Sequence, residues 1–169
     1  MSGDELAGYY DELTDRYPVL LLEDGMGDDD WEGWEELTAR LGRRLELAAD
    51  DLFATNAERL REGIAAGVAN AVVIKPNQVG TLTETLEAIQ LAQASGYATV
   101  IAQRSGETED TSIWDLAVAT GSTQIKAGAP SRERVAKYNR LLRIEEALGA
   151  EAQFAGLSAF YPDRFEASA

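Results

Sequence analysis

The residues able to do chemistry stand at the ends of short apolar runs. Glu23 follows 19–22, Asp50 follows 45–49, Lys75 follows 71–74, Gln103-Arg104-Ser105 follows 99–102 and Lys126 follows 123–125. Two carboxylates brought close together repel unless a cation sits between them, so Glu23 and Asp50 are candidate metal ligands. The plainer reading of either acid alone is a solvated turn residue or a charge at a helix N-terminus. An ammonium at the mouth of an apolar interior, close to a second one at Lys126, is expected to have a depressed pKa. Lys75 so placed suits a general base. Its competing role is a buried salt bridge to Glu23 or Asp50. Arg104 can grip a phosphate bidentately, Gly106 lets backbone approach an anion, and the helix that follows offers free N–H groups and the positive end of its dipole. The competing reading of Arg104 is a solvated loop cation.

Composition narrows the chemistry. The 169 residues contain no cysteine and no histidine. Disulfides, thiolate sites and imidazole ligands are thereby excluded, and the expected metal is a hard, oxygen-liganded ion, Mg²⁺ first. A net charge of −15 argues against a nucleic-acid partner, whose phosphates would be repelled. Only Lys75, Lys126 and Lys137 are lysines among 15 basic residues, and two of the three fall at strand ends. No apolar stretch is long enough to span a bilayer, and Met1–Glu5 lacks the basic and apolar regions of a secretory signal. The expected setting is cytoplasmic, with no membrane partner.

The elements that must position these residues alternate. A capping box at Ser2 and Glu5 opens a helix to about Arg16. Helices are then predicted over 31–41, 56–66, 82–94, 110–119 and 131–148, interleaved with the five apolar runs, which read as strands. Trp31, Trp34 and Trp114 recur at amphipathic spacing and read as core. Such alternation gives a parallel sheet covered by helices, either an open doubly wound sheet or part of a (β/α)₈ barrel. Polar groups at the end of every strand favour the barrel, since an open sheet concentrates them at one switch point. The predicted fold is therefore α/β, a partial TIM-like (β/α) barrel of about five parallel strand–helix units. Residues 1–150 form the incomplete barrel domain and 151–169 a C-terminal tail.

Several runs carry a more specific likeness. Glu23-Asp24, Asp30-Trp-Glu-Gly-Trp34, Asp50-Asp-Leu-Phe-Ala-Thr-Asn56, Ile74-Lys-Pro-Asn-Gln-Val-Gly-Thr-Leu-Thr-Glu-Thr85, Arg104-Ser-Gly-Glu-Thr-Glu-Asp-Thr111, Gln124-Ile-Lys126, Gly128-Ala-Pro130, Arg134-Val-Ala-Lys-Tyr-Asn139 and Phe154-Ala-Gly-Leu-Ser-Ala-Phe160 together resemble the C-terminal part of enolase, phosphopyruvate hydratase. The resemblance implies a Mg²⁺-dependent lyase of glycolysis that dehydrates 2-phosphoglycerate to phosphoenolpyruvate. It makes Glu23 and Asp50 two of three metal carboxylates, Lys75 the base at C2, Gln103, Arg104 and Ser105 the phosphate-side contacts, and Lys126 a substrate-binding lysine.

Three departures go with it. Gln103 stands where the family has a histidine, the stretch Ser131–Arg134 is one residue shorter than the family pattern, and Leu21-Leu22 replaces Ser-Ile. The likeness begins after the family's third barrel strand, which implies strands four to eight. The third metal carboxylate, the glutamate acting as general acid and the closing loop belong to the portion before them. The expectation is that this chain alone is not a stable catalytic monomer, and that it self-associates or pairs with a front-half chain. The alternative is a non-catalytic enolase-like remnant that binds metal, phosphate or a protein partner.

Overall fold

The computed structural model describes residues 1–106 and 108–160. The chain alternates α1 (Gly3–Arg16), β1 (Leu21–Glu23), α2 (Trp31–Leu41), β2 (Glu46–Ala49), α3 (Ala57–Ala66), β3 (Ala71–Ile74), α4 (Pro76–Val79), α5 (Leu82–Ala94), β4 (Ala98–Ala102), α6 (Ser112–Thr120), β5 (Gln124–Lys126) and α7 (Val135–Leu148). Short 3₁₀ turns occupy Arg132–Arg134, Gly149–Glu151 and Gly156–Ala159. Local chemistry sets the helix limits. Ser2 and Glu5 form the expected capping box on α1, Asn56 caps α3 through Glu58 and Arg59, and Gly67 ends α3 in the left-handed conformation.

The five strands are all parallel and lie in the order β1-β2-β3-β4-β5. Strand order that never reverses has no topological switch point, so the doubly wound alternative is excluded and the half-barrel stands. The sheet curls until side chains of its two edge strands reach one another, with Lys126 of β5 donating to Glu23 of β1.

Alternation along the strands makes two apolar faces. Leu47, Ala49, Val72, Ile74 and Ile101 join Trp34, Leu37, Phe53, Ile89 and Trp114 in the main core under the helices. Ala48, Ala71, Val73, Val100 and Ala102 form a second cluster on the concave face. Trp34 and Trp114 are fully buried and Trp31 packs, partly buried, against the same core, as their spacing predicts. Phe160 lies against the concave face beside a cavity of about 260 Å³, and the Ala159 carbonyl accepts from Gln124 Nε2 at 3.3 Å. The rest of the predicted tail, 161–169, lies outside the described residues. Among the described residues no helix is long and apolar enough to cross a membrane.

The sequence reading missed α4. Pro76 occupies the first helical position, where a proline marks a start, and Lys75 is its N-cap.

Candidate active site

Asp50 is the centre of the strand-end cluster. It follows β2 and is 4% exposed. Its N–H donates to Asp24 Oδ1 at 2.8 Å, and its Oδ2 accepts from Lys75 Nζ. Lys126 Nζ lies 3.9 Å from the same oxygen. The neighbour that touches Lys75 is thus a carboxylate rather than Lys126, so the salt bridge weighed from the sequence is present, and its partner is Asp50.

A second set of bonds locks this arrangement. The Lys75 N–H donates to Thr55 Oγ1 at 2.9 Å, and Thr55 Oγ1 donates to Gln78 Oε1 at 2.6 Å. Gln78 Nε2 then reaches Asp50 Oδ1 at 3.4 Å. The turn into α4 makes this possible, because the Gln78 N–H donates to the Lys75 carbonyl at 2.9 Å and so folds Gln78 back toward β2. Thr55 is buried and β-branched, yet it sits at φ +58°, next to Ala54 at +46°. Left-handed backbone at such residues costs about 1–3 kcal/mol and gathers where neighbouring structure over-determines it.

Asp24 was not picked out by the sequence reading, although it stands beside Glu23 in a matched run. It lies at φ +45°, and its carboxylate accepts from the Asp50 N–H and, at 3.4 Å, the Asp51 N–H. Burial pushes its carboxyl above the ordinary range, opposed by those two N–H groups and reinforced by the Asp50 and Asp51 charges.

Glu23, Asp24 and Asp50 each present an oxygen, all within 4.8 Å of one another. An all-oxygen, acidic donor set fits a hard divalent cation. Two of these carboxylates already hold ammonium groups, so the place is arranged for positive charge. A divalent ion there would compete with Lys75 and Lys126 for the same oxygens.

All seven residues inferred from the sequence, Glu23, Asp50, Lys75, Gln103, Arg104, Ser105 and Lys126, line one cavity of about 740 Å³. Its acids come from the ends of β1 and β2, and its arginines from beyond β4 and β5. Among the described residues Arg104 and Ser105 make no side-chain hydrogen bond, which leaves the guanidinium available to a ligand. Arg134 and Tyr138 also line the cavity; the sequence reading placed them in a helix and in a matched run but gave them no site role. The buried Arg134 Nε has no hydrogen-bond partner among the described residues. Gly128, at φ +72°, gives that arginine room, since a Cβ there would lie 3.1 Å from Nε.

None of the described lining residues belongs to α6. Asp110 Oδ1 already accepts from the Ser112 N–H and hydroxyl at that helix start.

The half-barrel and its strand-end cluster agree with a comparison against known families, in which the model described as "Enolase, C-terminal TIM barrel domain" matches residues 1–163. The chain belongs to the family of enolase C-terminal barrel domains.

Proposed function

We propose that this chain supplies the barrel side of an enolase-type lyase, which dehydrates 2-phosphoglycerate to phosphoenolpyruvate. The observation that carries the reading is the convergence, in one cavity, of a carboxylate cluster, two lysines at strand ends and an uncommitted arginine.

Glu23 and Asp50, with Asp24 beside them, would hold Mg²⁺. Bound there, the ion would supply positive charge to the substrate carboxylate as C2 loses its proton, which is the role divalent metals take when carbanionic charge develops beside a carboxylate. Lys75 is the proposed base that takes the C2 proton. The C2–H electron pair becomes the C2–C3 double bond, and the C3 hydroxyl leaves with a proton as water. Arg104 and Ser105 hold the phosphate, and Lys126 binds the substrate carboxylate end. Gln103 adds hydrogen bonding beside Arg104 without charge. The acids among the described lining residues are Glu23, Asp50 and Asp51, all on the metal side. The proton for the leaving hydroxyl is therefore proposed to come from a partner segment that also covers the concave face.

The test is phosphoenolpyruvate formation, followed by ultraviolet absorbance with Mg²⁺, for the chain alone and mixed with a polypeptide carrying the first three strands of an enolase barrel and its preceding domain. Activity that appears on mixing and is lost in Lys75→Ala supports the reading. Activity retained in Lys75→Ala removes Lys75 as the base. The ion pair between Lys75 and Asp50 favours a second reading, in which the cavity binds metal and phosphate without turnover. Calorimetric binding of Mg²⁺ and phosphoenolpyruvate with no product in any mixture would select it.

A further inference from the structure

The third lysine has no place in the chemistry above. Lys137 is the one fully buried residue of α7, at 0% exposure. Helices ordinarily bury an apolar side chain at such a position, because an ammonium removed from water is costly unless it is well bonded. Lys137 Nζ donates to the Thr108 carbonyl at 2.6 Å.

Thr108 lies in the connection from β4 to α6, the same connection that carries Arg104 and Ser105 near its start. Those two make no side-chain hydrogen bond of their own among the described residues, so their placement depends on the backbone that carries them. The far limb of the connection is organised locally. The Asp110 N–H donates to Thr108 Oγ1 at 3.2 Å, and Asp110 accepts from Ser112. The charge of Lys137 also acts on Asp110, whose carboxyl is held below its usual range first by the Ser112 hydroxyl and N–H bonds, with a smaller pull from the lysine. One α7 ammonium thus faces both the Thr108 carbonyl and the Asp110 carboxylate. One helical turn further on, Arg140 donates to Asp115, which ties α7 to α6 beside it.

We propose that Lys137 is a positioning residue for the anion side of the cavity. Its buried ammonium fixes the connection after β4 so that Arg104 and Ser105 are presented to phosphate. A methionine would fill the same space and satisfy packing, but it would leave the Thr108 carbonyl without this donor. The inference rests on the phosphate role proposed for Arg104 and Ser105.

Three measurements on the full chain separate the outcomes. Calorimetry with inorganic phosphate reads the anion side, calorimetry with Mg²⁺ alone reads the carboxylates on β1 and β2, and amide hydrogen exchange at Ser105 and Gly106 reads the connection itself. Lys137→Met is expected to weaken phosphate binding about tenfold or more and to speed exchange at those amides. Mg²⁺ affinity should hold, because its ligands lie on other strands. Lys137→Arg, which keeps a buried cationic donor, is expected to restore part of both losses. Unchanged phosphate affinity and exchange in Lys137→Met would overturn the proposal. So would parallel losses of phosphate and Mg²⁺ binding, or failure of both Lys137→Met and Lys137→Gln to fold, because each assigns the lysine to the fold as a whole. If the unsubstituted chain does not bind phosphate, the reading of Arg104 and Ser105 fails. Hydrogen exchange still decides whether Lys137 pins the connection.

Discussion

Replacing Lys75 by methionine tests the electrostatics of the site through stability, without reference to the proposed activity. The substitution keeps a long apolar stem and removes the ammonium from Asp50 Oδ2. Both partners are buried, with side chains 11% and 6% exposed. Removing one member of a buried ion pair strands the other charge and costs about 3–5 kcal/mol. Asp50 retains Gln78 at 3.4 Å and Lys126 at 3.9 Å, so the lower end applies, about 3 kcal/mol. For a chain of this length the melting temperature should fall by roughly 6–12 °C. Adding Asp50→Asn to Lys75→Met should recover most of the loss, since neither charge then remains. Mg²⁺ should raise the melting temperature of Lys75→Met more than that of the parent chain, because the ion no longer competes with an ammonium for Asp50. Thermal unfolding by circular dichroism, with and without Mg²⁺, reads all three effects. A Lys75→Met chain that melts with the parent would show that Asp50 is not held in a low-dielectric cluster, and the site reasoning would fail with it.

Two further outcomes follow from neighbouring groups. Thr55→Val keeps the shape of the side chain but leaves the Lys75 N–H and the Gln78 amide carbonyl without their partner. It should destabilise by about 2–4 kcal/mol in urea unfolding, whereas Thr55→Ser should be nearly neutral. The hydrogen bond from Arg140 is the main cause holding the Asp115 carboxyl below its ordinary 3.8. A depressed folded-state pKa gives stability that is present above the unfolded value and lost as pH falls through the folded one. Asp115→Asn should therefore flatten the loss of stability on acidification below about pH 4, checked by melting temperature against pH.

Much of this architecture can be read from the residues because each strand is a short apolar run closed by a polar group. Val72-Val73-Ile74 can only be interior on both faces, and the charge that follows must lie at the rim. The barrel-or-open-sheet choice was legible only indirectly, from the polar group at every strand end, because strand order itself is not encoded in any local pattern. Residues that act through space were legible only as types. Lys75 pairs with Asp50 across 25 positions, and either Glu23 or Asp50 fitted the pattern equally well. Asp24 was masked by its neighbour, since one strand end was expected to deliver one acid, while a left-handed backbone at Asp24 aims its carboxylate at the next strand. Lys137 was invisible for the opposite reason. A lysine in a helix reads as surface, and only the return of the β4–α6 connection over α7 puts it inside.

Gln103 tests whether the anion side works by fixed charge. The cations lining the cavity are lysines and arginines, and the chain has no histidine. Arginine does not titrate in the physiological range, and nothing on that wall has histidine's ordinary range near 6.5. Binding of sulfate, whose own charge is constant from about pH 5 to 8, should therefore change little across that window. Gln103→His places an imidazole beside Arg104. Its protonated form adds a positive charge and a donor, so bound anion favours the protonated state and raises the imidazole pKa in the complex. Sulfate affinity in the variant should then strengthen as pH falls through about 6.5, while the parent stays level. Calorimetric titrations on the two proteins give the comparison directly. A level profile in Gln103→His would mean that position 103 does not face the bound anion. A sloping profile in the parent would mean that another titrating group governs the site, and that fixed guanidinium and ammonium charge is the wrong account of it.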